Sequence, residues 1–276
     1  MPPESRIADR IASYTLPVDG DIFAELSASA RLEGVGKGRQ GAVLTRVDES
    51  GGVPLVRTTT RYGSPAQRFR SVHERLARQI QERAALPVGF NNALVENYTN
   101  AYRTMGAHSD QALDLADGSF IAVFSCYRNP EAGPPRRLVF EPKGSEGEGS
   151  DRETPDRETP DRDGSDGERF EIPLTHNAFV AFSVESNRRL RHRIVLDTPG
   201  DAPDNRWLGV TFRTSKTLVR FRDGQAYLPE GQRLLPADEE QSREFYRLRR
   251  RENRETDFDY PRLTYTVSES DLLPPL

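Results

Sequence analysis

The sequence predicts an α+β fold in which a double-stranded β-helix, or jelly-roll, core is flanked by N-terminal helices and followed by a C-terminal helical extension. Three observations support this prediction. Seven short apolar segments follow one another between residues 93 and 213, separated by turn residues. Closely spaced strands without intervening helices favour a sandwich or barrel over a parallel α/β sheet. A helical pattern precedes these segments, and a second, highly charged one follows them.

The N-terminal region contains the helices expected to flank the core. The stretch YTLPVDGDIFAELSASA, residues 14–30, is typical of a short strand, a turn at Asp19-Gly20 and a helix. The stretch QRFRSVHERLARQIQERAAL, residues 67–86, is typical of an amphipathic helix that ends before Pro87 and carries His73 on a solvent-facing flank. Its apolar residues recur at intervals of three and four: Phe69, Val72, Leu76 and Ile80.

The predicted strands of the core alternate with turn residues. They are ALVENY (93–98), SFIAVFSCY (119–127), RRLVF (136–140), RFEIPL (169–174), NAFVAFS (177–183), HRIVLD (192–197) and LGVTFR (208–213). Between the third and the fourth lies an acidic insert, residues 143–169, with the tandem repeat DRETP-DRETP. Because the insert has no large apolar residue to bury, we expect it to be disordered.

The domain organisation follows from these patterns. Residues 1–220 are expected to form the main domain, and residues 221–276 a C-terminal extension with one helix. In the extension, VRFRDGQAYL predicts a hairpin around Asp223-Gly224. The stretch PADEEQSREFYRLRRRENRE predicts a helix with acids at its start and arginines at its end, as the helix dipole favours. We interpret the arginines between residues 247 and 254 as a solvated face paired with acids of the same helix.

Composition restricts the function classes. The net charge of −4 gives no overall attraction to nucleic acid, although a local basic groove stays possible. The single cysteine, Cys126, excludes an internal disulfide framework and suits a reducing compartment, so we expect a cytoplasmic protein. No apolar run approaches membrane-spanning length, and the first residues do not resemble a signal peptide. The oligomeric state stays open, and a monomer is compatible with the sequence.

A histidine and an aspartate lie two residues apart in the stretch GAHSDQALD, residues 106–114. In extended backbone His108 and Asp110 would point the same way. Such a pair is often an ordinary hydrogen-bonded surface pair. Here, however, His192 follows about eighty residues later at the start of a predicted strand. Two histidines and one carboxylate form the facial triad that holds Fe(II) and leaves three coordination positions open. Arg213, further along, could pair with a carboxylate.

The order FNNALVENY…HSD…SFIAVFS…RRLVF…RHRIVL…LGVTFR, within residues 10–220, resembles the AlkB-type branch of the Fe(II)/2-oxoglutarate-dependent dioxygenases. The resemblance implies that His108, Asp110 and His192 ligate iron. It implies that 2-oxoglutarate, the cosubstrate used with O2, is bound by residues matching the family's N-x-Y and R-x-N-L-T-F-R motifs. These residues are Asn97, Tyr98, Arg206 and Arg213. No catalytic residue beyond the metal ligands is implied.

The chain departs from the family's pattern at two places. Asn97 and Tyr98 are adjacent, whereas the family spaces these two residue types by two. Arg206 and Arg213 are seven apart rather than six, which puts them on opposite faces of a regular strand. Trp207 takes the position in phase with Arg213.

The resemblance implies hydroxylation of a C–H bond with O2 and release of succinate and CO2. The target is open between two classes: a methylated nucleic-acid base, by oxidative N-demethylation, and a small molecule or protein side chain. Members that act on bases tend to carry an acid shortly after the H-x-D motif, whereas Gln111 and Ala112 stand here and the next acid is Asp114. A non-catalytic binding domain is the third alternative, and the presence of all three ligand types argues against it.

Overall fold

The computed structural model describes residues 11–144, 169–197 and 204–276. Residues 145–168, which form nearly all of the insert predicted to be disordered, lie outside the described residues. The helices are α1 (Ile22–Ser29), α2 (Ser71–Arg83), α3 (Val184–Arg189) and α4 (Glu239–Glu252). The strands are β1 (Ile11–Thr15), β2 (Glu33–Gly36), β3 (Arg39–Thr45), β4 (Val53–Leu55), β5 (Gln67–Arg68), β6 (Asn92–Tyr98), β7 (Phe120–Tyr127), β8 (Arg136–Pro142), β9 (Phe170–Leu174), β10 (Ala178–Ser183), β11 (Leu190–Val195), β12 (Trp207–Arg213), β13 (Thr217–Arg222), β14 (Gln225–Tyr227), β15 (Leu235–Pro236) and β16 (Tyr265–Thr266).

Two sheets dominate the fold, and almost all of their strand pairs are antiparallel. The large sheet has the order β1-β10-β7-β12-β6-β3-β2, with β5 parallel to β3. The small sheet has the order β11-β8-β9. Strands β14, β13 and β4 form a third sheet, and β15 pairs with β16 in parallel. A mostly antiparallel α+β fold is therefore confirmed, with the seven predicted core strands present as β6 to β12. Within the described residues the strand orders are open and close no barrel.

The large sheet is buried on both faces. One face carries α1 and α2, whose apolar residues pack with Val95 and Phe212 in one cluster. The other face packs against the small sheet, where Tyr98 and Trp207 join Phe140 in a second cluster. Side chains alternate along each strand, so neighbouring residues of β6 and β12 lie on opposite sides of the sheet. One set faces the helices, and the other set faces the small sheet.

The start of α2 differs from its prediction. His73 was expected to face solvent, but it is fully buried between α2 and α1. Its Nδ1 accepts from the backbone N–H of Arg70 at 2.9 Å, so its Nε2 carries the proton and donates to Ser29 Oγ at 2.8 Å. The prediction was wrong because helical periodicity identifies the apolar face but not which polar flank meets another helix. Burial lowers the pKa of His73 to about 4.

The C-terminal residues form the predicted hairpin, β13-β14, and the predicted helix, α4. At the start of α4 the Asp238 carboxylate accepts from the backbone N–H of Gln241 at 2.8 Å, as a capping box requires. Arg247 and Arg249 pair with acids of their own helix as expected, and Arg251 pairs with Glu255 just beyond it, but Arg249 is buried rather than solvated. Among the described residues, no helix combines the length and apolarity needed to cross a membrane.

A buried neutral histidine makes stability depend on pH. The pKa of His73 is about 4 in the folded protein, below its ordinary value of 6.5, so the unfolded chain takes up its proton first as pH falls. We expect the free energy of unfolding, measured in urea, to drop between pH 6.5 and 4. His73 should account for a loss on the order of 2 kcal/mol between pH 7 and 5. The variant His73→Gln should show a shallower dependence, and an identical slope in both proteins would contradict a neutral His73.

Gly209 makes room for an indole ring. A Cβ at this position would overlap the ring of Trp207, which is held by a 2.6 Å hydrogen bond from its Nε1 to Ser125 Oγ. We expect Gly209→Ala to lower the free energy of unfolding by about 1–3 kcal/mol through overpacking. Gly34→Ala is the matched control, because nothing lies within 4 Å of a Cβ there. Equal effects of the two substitutions on denaturant midpoints would refute this account.

Candidate metal centre

Two backbone hydrogen bonds bring two of the predicted ligands together. The N–H of His108 donates to His192 O at 2.9 Å, and the N–H of His192 donates to His108 O at 2.6 Å. This exchange pairs the segment before residue 110 with β11 and leaves the two imidazole centroids 4.7 Å apart. Asp110, two residues on in the same segment, adds its carboxylate. One ligand atom from each of the three residues lies within 4.8 Å of the others, so the group could hold a metal ion.

The protonation states of the three side chains suit metal binding. Burial opposes ionisation of Asp110, but Arg213, whose Nε donates to Oδ2 at 2.8 Å, outweighs it and holds the pKa of the carboxyl well below its usual range. Burial lowers the pKa of His192 to about 3, and burial followed by the charge of Arg249 lowers that of His108. At neutral pH the group is therefore one carboxylate and two neutral imidazoles, which is the state that coordinates a divalent ion.

Hydrogen bonds outside the three ligands fix their orientation. His108 Nδ1 lies 2.8 Å from Gly106 O and must donate to it, which leaves Nε2 as the ligand atom. The side chain of Asn187, within α3, bonds both the N–H and the carbonyl of the Asp110 backbone. Its Oδ1 accepts from the Asp110 N–H, and its Nδ2 donates to the Asp110 carbonyl, both at 2.7 Å. Residues 106–114, called the ligand segment below, are thus positioned before any ion binds.

Helix α4 holds the same segment from the other side. Asn253 Oδ1 accepts from the backbone N–H of Ser109 at 3.0 Å and from its hydroxyl at 3.1 Å. Glu252 Oε1 accepts from the N–H of Ala112 at 2.7 Å, and Arg249 donates to Glu252 and to the Ser109 carbonyl. Sequence patterns do not predict the contacts with the ligand segment, because these contacts join residues 140 to 144 positions apart.

Asp114, the acid that follows the H-x-D motif in the sequence, is bonded to residues outside the metal cavity. Asp114 accepts from the backbone N–H, Nε and Nη2 of Arg57 at 2.8 to 3.0 Å, and from the hydroxyl of Thr217 at 2.8 Å. Both charged residues are buried. A buried ion pair with this many hydrogen bonds is a structural one, so Asp114 does not serve as an acid in the cavity.

A cavity of about 370 Å³ lies beside the three ligands. Glu96, buried on β6, accepts from Arg39 Nε at 2.7 Å and from the Tyr98 hydroxyl at 2.8 Å, so its charge is balanced within the wall. An acid among the apolar residues of a predicted strand is the signal that could have identified it. Residues that line the cavity besides the ligands include Arg39, Glu96, Gln111, Thr211, Arg213 and Arg249.

Strand alternation separates the predicted cosubstrate contacts. Arg213 lines the metal cavity, and Tyr98 faces the same side of the sheet with its hydroxyl on Glu96. Asn97 and Arg206 instead line a second cavity on the helix side, together with residues of α1. Strand β12 pairs with β6 in regular register, so no bulge brings Arg206 and Arg213 to one face.

Comparison with known proteins adds little to this geometry. No protein-family model matches the chain. No curated protein matches it either. Among solved structures, one described as "The structure of OsALKBH1" is 14% identical to this chain over 64% of this chain and 78% of that one, with a TM-score of 0.36. The three candidate ligands and their surroundings are therefore the features from which a function is inferred.

Asn187 should govern metal affinity without being a ligand. We expect Asn187→Ala to weaken binding of a divalent metal ion about 10- to 100-fold, because Asp110 loses both contacts that orient its backbone. Anaerobic titration calorimetry measures this directly. Asn205→Ala is the matched control, since Asn205 bonds a distant surface loop at Asn129. Unchanged affinity in the Asn187 variant would show that the segment needs no such support.

Proposed function

We propose that this protein is an oxygenase that binds one Fe(II) through His108, Asp110 and His192 and uses 2-oxoglutarate and O2 to hydroxylate a C–H bond of its substrate. The observation that carries the proposal is the His–Asp–His group beside a cavity, with Asp110 and His192 buried and His108 half-buried. Two imidazoles and a carboxylate on one face are the donor set of non-haem Fe(II) oxygenases, whereas structural zinc sites use four ligands.

Iron with 2-oxoglutarate supplies an oxidation in which one atom of O2 enters the substrate and the other enters succinate, with release of CO2. The chain's own residues hold and orient the reactants. The Asp110 carboxylate and the neutral imidazoles would bind the ion, and the buried apolar residues of the cavity wall would limit the access of water.

Arg213 is the residue we propose to bind a carboxylate of 2-oxoglutarate. Arg213 is buried, and its Nε donates a hydrogen bond to Asp110 Oδ2. Among the described residues no group accepts from its two Nη atoms, which leaves two donors for an incoming carboxylate. The ion pairs of Arg39 with Glu96 and of Arg249 with Glu252 are neutral. The net charge of Fe(II), the Asp110 carboxylate and the Arg213 guanidinium would be two positive units. The two carboxylates of 2-oxoglutarate would neutralise it.

The other predicted cosubstrate residues have different positions in this proposal. Tyr98 would act through Glu96, to which its hydroxyl is bonded. Asn97 and Arg206 lie on the helix side of the sheet, so we propose that Arg213 binds the cosubstrate without them.

We further propose that the two facing sheets form a double-stranded β-helix of the AlkB-like type, with the site between β11, β12 and the ligand segment. Residues 1–220 would form this domain and residues 221–276 an extension that supports the site through α4. Both substrate classes, a methylated base and a small molecule or protein side chain, fit this chemistry. Oxidation of an N-methyl group would release formaldehyde, so formaldehyde separates demethylation from other hydroxylations.

His108→Ala should abolish Fe(II)- and 2-oxoglutarate-dependent succinate formation, because two ligands do not hold the ion on one face. Succinate and formaldehyde are measured across methylated oligonucleotides and a metabolite panel. Asp110→Ala should give the same loss, but it also leaves Arg213 as an unpaired buried charge, so the histidine variant is the cleaner test.

His176→Ala is the matched control for this prediction. His176 accepts from the Tyr127 N–H in a turn away from the ligands, and we expect its loss to leave turnover intact. Full turnover by the His108 variant would exclude the metal assignment.

A further inference from the structure

The side chain of Gln111 is buried beside the metal ligands without a hydrogen-bond partner. It is 5% exposed and lines the metal cavity. Neither its Oε1 nor its Nε2 has a partner among the described residues. Buried polar groups are nearly always hydrogen-bonded, and one left unsatisfied in a native structure requires an explanation.

The carboxylates of the cavity wall are already engaged. Glu96 accepts from Arg39 and Tyr98, and Asp110 accepts from Arg213. The same holds for Arg249 and Asn253, which bond the backbone of the ligand segment. Gln111 differs from these residues because neither the Oε1 nor the Nε2 of its amide has a hydrogen-bond partner among the described residues.

The backbone on both sides of Gln111 is fixed. Asp110 is held at its N–H and its carbonyl by Asn187, and the N–H of Ala112 is held by Glu252. The amide therefore cannot turn away to solvent by a movement of a loose loop. A ligand that satisfies it meets a group already in place, which is how a binding site gains affinity through preorganisation.

The chemistry of the amide defines its complement. A carboxamide offers an acceptor, Oε1, next to a donor, Nε2, in one plane. Its partner must offer a donor next to an acceptor, as a cis-amide or lactam edge does. A carboxylate would set an acceptor against Oε1, and an ammonium would leave Nε2 unsatisfied.

We propose that Gln111 is a specificity-determining residue that binds, by a pair of hydrogen bonds, a planar substrate group carrying N–H beside C=O. The proposal deepens the proposed function, on which it rests for the identity of this cavity as the substrate cavity. It assigns to the substrate a neutral amide or lactam edge close to the carbon that is oxidised.

The test uses the full chain and two matched probes, 2-pyridone and N-methyl-2-pyridone. Only the first carries the N–H. Binding is followed by ligand-detected NMR without turnover, in metal-free protein and with Fe(II) under anaerobic conditions. We expect the wild-type chain to prefer 2-pyridone by at least about tenfold, because a site built to bond an N–H discriminates against its absence. The variant Gln111→Met keeps the length and removes both polar atoms, and should bind the two probes equally.

A second variant reverses the pattern. Gln111→Glu offers two acceptors and a charge, so it should lose the preference for 2-pyridone and bind protonated 2-aminopyridine instead. Gln111→Met should be no less stable to urea than the wild type, since it replaces an unsatisfied amide by an apolar group of the same shape. That result would separate loss of recognition from loss of folding. Asn97→Leu, which removes a buried amide lining the other cavity, is the control and should keep the preference.

Equal binding of the two probes to the wild type, no binding of either, or a preference that survives in Gln111→Met would each overturn the proposal. The last outcome would indicate that the metal or another wall group selects 2-pyridone. If the chain binds no Fe(II) but metal-free protein prefers 2-pyridone in a Gln111-dependent way, the proposed function fails while this assignment of Gln111 stands.

Discussion

The large sheet is buried on both faces, and this burial determines on which side of the sheet each charged residue of β6 and β12 lies. Because side chains alternate along a strand, β6 and β12 each send one set of residues to the helices and the other to the cavity. Val95 and Val210 belong to the helix side, and Glu96 and Arg213 to the cavity side. A shift of one residue in β12 would bury Arg213 under α1 and α2, and the same shift in β6 would bury Glu96 there. The apolar core thus sets the register that supplies the cavity with its charges.

Two buried arginines form ion pairs with carboxylates of the ligand segment, and these pairs hold the segment in place. A buried charge is costly unless it is matched and hydrogen-bonded. Arg213 meets this condition with Asp110, and Arg57 meets it with Asp114 further along the same segment. The segment is therefore held at two of its carboxylates, one aimed at the cavity and one turned into the protein. This division explains why an acid near the motif in sequence is absent from the cavity.

The parts that the sequence predicted correctly are those that depend on local patterns. The core strands follow from apolar runs and turn residues, and the proximity of His108 to His192 follows from their places beside predicted strands. Features that depend on distant contacts could not be found in this way. The burial of His73 depends on α1, and the support of Ser109 by Asn253 spans 144 residues. A periodic pattern describes which face of an element is apolar, but it does not identify the polar partner that the face will meet.

The contacts between α4 and the ligand segment also set an order of events during synthesis. Chains emerge from the ribosome N-terminus first, and domains fold as their residues become available. His108, Asp110 and His192 have all left the ribosome once residue 192 has emerged. The partner of Ser109 is Asn253, however, and it emerges some sixty residues later. A nascent chain thus holds all three residues of the candidate metal centre, and the Asn187 contacts to Asp110, before it holds the contacts of α4 and Asn253, so the support of Ser109 and Ala112 is completed only after residue 253 has emerged.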